Sequence, residues 1–157
     1  MNRLEKVMAN YPNLRYVFKD NMPKQYKGFC AGHVVLINNS RHETKEEIIV
    51  TVAEEIGHYV TGSGNITEQK TIVEQKQEHK ARQWGNQHLV SLDDLIDCFE
   101  KGILTKHEIA EELEITEDCV TDAIESYRAT KGMSFEHNGY YIKFNSDTSI
   151  QIIKLVD

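Results

Sequence analysis

Between Thr44 and Gly62 the chain carries the marks of one helix whose two ends are both set by local chemistry. Thr44 followed by Glu47 has the spacing of a capping box, and Gly62 supplies a residue able to turn left-handed and close the helix. Within it, Ile49, Val52, Ala53, Ile56 and Val60 fall on one stripe, and Thr51, Glu54, Glu55 and His58 on the other. Such a helix must bury the first stripe, which demands a fold with a core on one side and a cleft or solvent on the other. With ~3.6 residues per turn, Glu54 and His58 stand nearly one above the other, and Glu55 is turned roughly 100° aside. A carboxylate and an imidazole so placed can share a metal ion, with Glu55 able to hold a water without being a ligand. The same spacing describes an ordinary solvated Glu-to-His pair, and periodicity does not separate the two.

The stretch Ala53-Glu54-Glu55-Ile56-Gly57-His58 is one residue away from H-E-x-x-H, in which two His bind zinc and the Glu after the first acts as general base. Glu54 stands where the first His would be. The rest of the chain has to decide what that substitution means.

Before this helix, residues 3–9 suit a short helix, Pro12 and Asn13 a turn, and residues 14–18 a strand ended by Asp20, Asn21 and Pro23. A second, clearer strand is expected over residues 28–37, stopped by Asn38-Asn39-Ser40. After a turn at Gly62 to Asn65, Thr67 can cap a second, largely polar helix reaching to about Leu89, whose few apolar residues are Ile72, Val73, Ala81, Trp84 and Leu89. Packing of Ala81 and Trp84 against the first helix would aim Glu78 toward His58. A charged, solvated face is the plainer reading of the same residues. His79 neighbours Glu78 but points about 100° away, too far round the helix to share its metal. His33 and His42 precede the helix and read as surface residues.

Downstream, residues 91–101 form a short helix stopped by Gly102, and Thr105 with Glu108 forms another capping box. It opens a helix through Ile109, Ala110 and Leu113, a Glu114-Ile115-Thr116 turn, and a helix bearing Val120, Ala123, Ile124 and Tyr127, a pattern like a helix-turn-helix. The tail alternates as a hairpin about Asn138-Gly139, with room for a third strand from Ile150. These signals give an α+β fold: residues 1–90 as a core with the two long helices, and 91–157 as a helical extension and β-hairpin packed with it.

Composition narrows the class. The 157 residues, 39% hydrophobic and 27% charged, suffice for one ordinary domain or a core with a small module. No apolar run approaches a membrane span, and the N-terminus lacks a signal-peptide segment, so a cytosolic protein is expected. Cys30, Cys98 and Cys119 are odd in number and contain no C-x-x-C, which argues for reduced, partly buried thiols over disulfides or a thiolate zinc site. The net charge of −7 is uneven: residues 1–45 carry eight Lys or Arg against three acids, and residues 104–131 carry eight acids against three Lys or Arg. That acidic half disfavours DNA, because the would-be recognition helix opens with Glu117 and Asp118 and continues with Asp122 and Glu125.

The order of a strand, the Ala53-Glu54-Glu55-Ile56-Gly57-His58-Tyr59 helix, the Gln77-Glu78-His79-Lys80-Ala81-Arg82-Gln83-Trp84 helix and a helix-turn-helix-like continuation around Ile109 to Val120 resembles the ImmA/IrrE family of metallopeptidases. The resemblance implies a small zincin-like core and covers most of the chain. It implies zinc held at the positions of Glu54, His58 and Glu78, with Glu55 matching the motif glutamate. Relatives of the phage-like kind also carry Glu-Glu-x-Gly-His. Characterised relatives act on helix-turn-helix repressors that keep mobile elements silent, so a repressor is the implied substrate. Two carboxylates and one imidazole can all bind zinc at ~2.0–2.2 Å, but this harder set lessens the advantage of zinc over Mn²⁺ or Fe²⁺. It also leaves a bound water less acidic than in a His-rich site, so slower or more conditional hydrolysis is expected. The alternatives are a non-catalytic interaction module with a degenerate site and, lower, a DNA-binding regulator. Tyr59 is expected as partly buried support.

Overall fold

The computed structural model describes residues 1–42, 44–62 and 72–156. It is a mixed α+β fold that divides into two compact units, Met1–Asn86 and Gln87–Asp157. The expected cap at Thr67 and the turn residues after Gly62 lie outside the described residues.

The first unit opens with α1 (Arg3–Ala9), capped by the Asn2 side chain, which accepts from the Glu5 backbone N–H at 2.8 Å. Three strands follow, β1 (Arg15–Lys19), β2 (Gly28–Ala31) and β3 (Val34–Asn38), in the sheet order β1-β3-β2, with β1 parallel and β2 antiparallel to β3. The single strand expected over 28–37 is thus two. Ala31 pairs with Val34, so Gly32 and His33 make a two-residue hairpin loop, with Gly32 at a φ of 58°. That positive φ is cheap only for glycine, and it folds what reads as one apolar run back on itself.

β3 alternates as a half-buried strand should. Val35 and Ile37 are fully buried and join Leu14, Cys30, Val52 and Ile56 in one core. At its end Asn38, also fully buried, replaces missing secondary structure with side-chain bonds. Its Nδ2 donates to the carbonyls of Pro23 at 3.1 Å and Tyr26 at 2.8 Å, and its Oδ1 accepts from Ser40 N at 3.1 Å and Ser40 Oγ at 2.6 Å. This one amide holds the loop before β2 against the start of the turn Asn39–Arg41. Asn38→Ala is expected to cost about 3 kcal/mol in urea unfolding, because several buried partners lose their bonds together. A loss below about 1 kcal/mol would show that water replaces the amide.

α2 (Lys45–Thr61) begins and ends as its local signals require. Thr44 Oγ1 accepts from Glu47 N at 3.2 Å, and Gly62 sits left-handed with φ 71°. α3 (Ile72–Leu89) meets α2 through small residues. A Cβ added to Gly57 would stand 2.3 Å from the Ala81 carbonyl oxygen, and one added to Gly85 would stand 3.0 Å from the Ala53 carbonyl. Each helix therefore presents an alanine and a glycine four residues apart, and each glycine faces the other's alanine. The backbones touch, and the two chains run in opposite directions across the contact.

The second unit holds α4 (Leu92–Glu100), α5 (Lys106–Leu113), α6 (Glu117–Lys131) and an antiparallel sheet of β4 (Ser134–His137), β5 (Tyr140–Phe144) and β6 (Ile150–Lys154), in that order. Ser91 with Asp94 and Thr105 with Glu108 form complete capping boxes. Asn138 and Gly139 both take positive φ at the hairpin turn, as the dipeptide requires. Tyr127 stacks on the fully buried Phe144 at 5.8 Å and donates its hydroxyl to the Val90 carbonyl at 2.8 Å, tying α6 to the sheet. The cysteines are free, and all three are buried. Among the described residues no helix is long and apolar enough to cross a membrane.

Candidate active site

The polar stripe of α2 is not the solvated or cleft face that its composition suggests. Thr51, Glu55 and His58 are only 8%, 7% and 6% exposed, whereas Val60, expected in the core, is 42% exposed. Both sides of the helix are covered along its middle, because β2 lies against the polar stripe. The glycine that opens β2 makes this possible: a Cβ on Gly28 would meet Thr51 Cγ2 at 3.0 Å, Glu55 Cγ at 3.1 Å and Glu55 Oε2 at 3.2 Å. Glu55 is thus seated where any other residue at position 28 would push it.

Around Glu55 the charges are of one sign. Its Oε1 lies 3.9 Å from His58 Nε2, one helical turn on. Burial, then the nearby Glu54 and Glu78 carboxylates, push its pKa up to about 8. Glu54 is less enclosed, its side chain a quarter exposed. Burial raises its pKa as well; the Arg82 guanidinium opposes that, Glu78 adds to it, and Lys27 opposes it. Arg82 Nε stands 3.7 Å from Glu54 Oε2. The structure therefore brings Glu54, Glu55 and Glu78 within mutual electrostatic reach and seats His58 beside Glu55. Glu78 is half-buried on α3, and its neighbour His79 is exposed, as their positions on the helix predict.

Three further residues went unassigned in the sequence. His42, read there as a surface residue, is half-buried and bridges the end of β3 to α2. Its Nδ1 lies 2.7 Å from the Asn38 carbonyl and its Nε2 2.8 Å from Thr51 Oγ1. A carbonyl only accepts, so Nδ1 carries the proton, and in the neutral ring Nε2 accepts from the threonine. Burial lowers the pKa of His42, which favours that neutral form. Gly28 is the second. Arg82 is the third, and its only sequence signal is its place four residues after Glu78, on the same face of α3. Tyr59, expected as partly buried support, is 37% exposed, and its hydroxyl accepts from Asn13 Nδ2 at 2.8 Å.

The donor set suits a divalent cation: two carboxylates and an imidazole as oxygen and nitrogen ligands, with a third, buried carboxylate beside them. Burial first and the neighbouring carboxylates second raise Glu55, and such a cation relieves the second of these. Among the described residues, no three His, Cys, Asp or Glu side chains are gathered closely enough to enclose a metal.

The profile of the IrrE N-terminal-like domain matches residues 9–124. The chain belongs to that family. The match runs from the end of α1 into α6 and so includes β1 to β3, both helices of the site and the helix pair that follows. The IrrE N-terminal-like domain is a peptidase family, typically metal-dependent, and membership suggests a metallopeptidase-type function. Comparison with curated proteins yields no match.

Proposed function

We propose that this chain is a metal-dependent endopeptidase in which Glu54, His58 and Glu78 hold the metal and Glu55 is the general base. Zinc is the favoured ion, with Mn²⁺ or Fe²⁺ compatible with so oxygen-rich a set. The observation that carries the reading is the state of Glu55: a buried carboxylate, beside an imidazole and within electrostatic reach of two further carboxylates, raised far above its ordinary range. Perturbed acids of this kind are costly to keep and are typical of catalytic sites.

When bound, the metal supplies Lewis acidity toward the scissile carbonyl and toward water. Glu55 takes a proton from the attacking water and returns it to the leaving amine nitrogen. The bare backbone at Gly28 leaves room for both Thr51 and Glu55 beneath β2, and His42 holds Thr51. β2 pairs with β3 on one side only among the described residues, so its free edge beside Glu55 offers backbone groups to an extended peptide. The natural substrate in this reading is a helix-turn-helix repressor, whose cleavage releases a phage or mobile element.

A non-catalytic interaction module is the second reading, favoured by the lack, among the described residues, of three His, Cys, Asp or Glu side chains close enough to enclose a metal. Elemental analysis of protein purified without added metal separates the two, with His58→Ala and Glu78→Ala alongside. Near-stoichiometric zinc, manganese or iron in the wild type, lost in both variants, is the expected result. No metal, and none taken up on addition, would leave the interaction module as the better reading.

A further inference from the structure

We propose that Arg82 is a positioning residue for this metal site, the counter-cation that allows a glutamate to stand at position 54 where the motif has histidine. The proposal rests on the metallopeptidase reading above and deepens it.

Glu54, Glu55 and Glu78 contribute three negative charges when ionised, and His58 none in its neutral form. A divalent cation cancels two of them and Arg82 the third, so the loaded site is neutral. A motif with His at position 54 would reach neutrality with the cation alone and would have no use for the arginine. Position 82 is well chosen. It follows Ala81, whose carbonyl abuts Gly57, so close helix packing delivers Arg82 to α2 at the level of Glu54.

Geometry adds a second role. The ion pair runs from Arg82 Nε to Glu54 Oε2 at 3.7 Å. A carboxylate held by a charged partner is restrained in its orientation, as partners behind a ligand are known to do. The pair is a weak device for holding the fold together: the arginine side chain is half exposed, where such pairs contribute little. Lys27 also acts on Glu54, but more weakly than Arg82.

The test is the affinity for Zn²⁺ alone, by competition with a chromophoric chelator, in the full chain carrying Arg82→Gln or Arg82→Lys, each with Glu54 or with Glu54→His. With Glu54 present, R82Q should weaken zinc binding about 10-fold or more, the lower end of what such supporting residues give, and R82K should retain most of the affinity. With E54H present, R82Q should leave affinity unchanged or improve it, because the arginine then only places positive charge beside the cation. An R82Q effect of the same size in both backgrounds would mean that Arg82 merely supports the fold, and so would an R82K variant as weak as R82Q. If R82Q fails to fold, R82K against wild type in the two backgrounds still decides: with Glu54 the two should match, and R82K binding as weakly as in a His58→Ala control would overturn the proposal. Wild-type protein that binds no zinc, indistinguishable from His58→Ala, would sink the metal reading and this proposal with it. Wild-type binding with a background-independent arginine effect would sink this proposal alone.

Discussion

Replacing Glu55 by Gln should cut peptide cleavage by about 10²–10⁴-fold, the usual contribution of a general base, and should at the same time make the metal-free protein more stable. The second effect follows from the first residue's environment. Glu55 has its pKa raised by burial and by the Glu54 and Glu78 carboxylates, from an ordinary 4.5 to about 8. Between those two values the folded state retains a proton that the unfolded chain has released, so wild-type stability falls as pH rises through that window. Below about pH 4.5 both states hold the proton and the penalty vanishes. Glutamine has the same shape and no proton to lose, so the variant should gain on the order of a few kcal/mol by pH 8 and little at pH 4. Urea unfolding in the presence of a chelator, at a series of pH values, measures this directly. Parallel stability profiles for the two proteins would mean that Glu55 is ionised without cost, and the argument that singles it out as a tuned base would collapse.

Gly57→Ala is the second variant with a large expected effect, and here local and tertiary reasoning give opposite signs. Alanine in place of a mid-helix glycine should stabilise α2 by about 1 kcal/mol on propensity alone. In the fold its Cβ would lie 2.3 Å from the Ala81 carbonyl oxygen, with the carbonyl carbon at 3.1 Å. Both are backbone atoms, so no side chain can rotate away and α3 itself must retreat. The net result should be destabilisation of about 3 kcal/mol, at the upper end of ordinary overpacking. Metal uptake should fall with it, because Glu78 and Arg82 travel on α3. Gly85→Ala, whose contact with Ala53 is 3.0 Å, should cost less. Denaturant unfolding of the two variants tests the contact. A Gly57→Ala protein as stable as wild type would show that the helices are not held backbone to backbone.

The sequence alone located α2, its capped start, its glycine end, the capping box at Thr105 and the Asn138-Gly139 turn. Each of these is a bond or a dihedral preference between residues within four positions of one another, so the information is local. It was also enough to select Glu54, Glu55, His58 and Glu78 as the residues to watch. Other features were not legible. The stretch at 28–37 conceals a hairpin: Gly32 and His33 interrupt its apolar residues, but that the chain reverses there depends on Gly32 turning left-handed. The polar stripe of α2 reads as a wet surface because periodicity reports only what one side of a helix buries. It cannot report that Gly28 lets a strand close over the other side.

The electrostatic state of the site was likewise decided in three dimensions. Residue types and spacing nominate Glu55 as a base, but its raised pKa depends on burial under β2 and on Glu78, which arrives from a different helix. Arg82 pairs with Glu54 only because Gly57 and Gly85 admit α3 to van der Waals contact with α2. By itself the sequence determined which helices form and which chemistry they carry, since caps and side-chain identities act over a few residues. Only the tertiary structure decided which charges meet and how deeply they are buried, because both depend on distances between segments that no local preference sets.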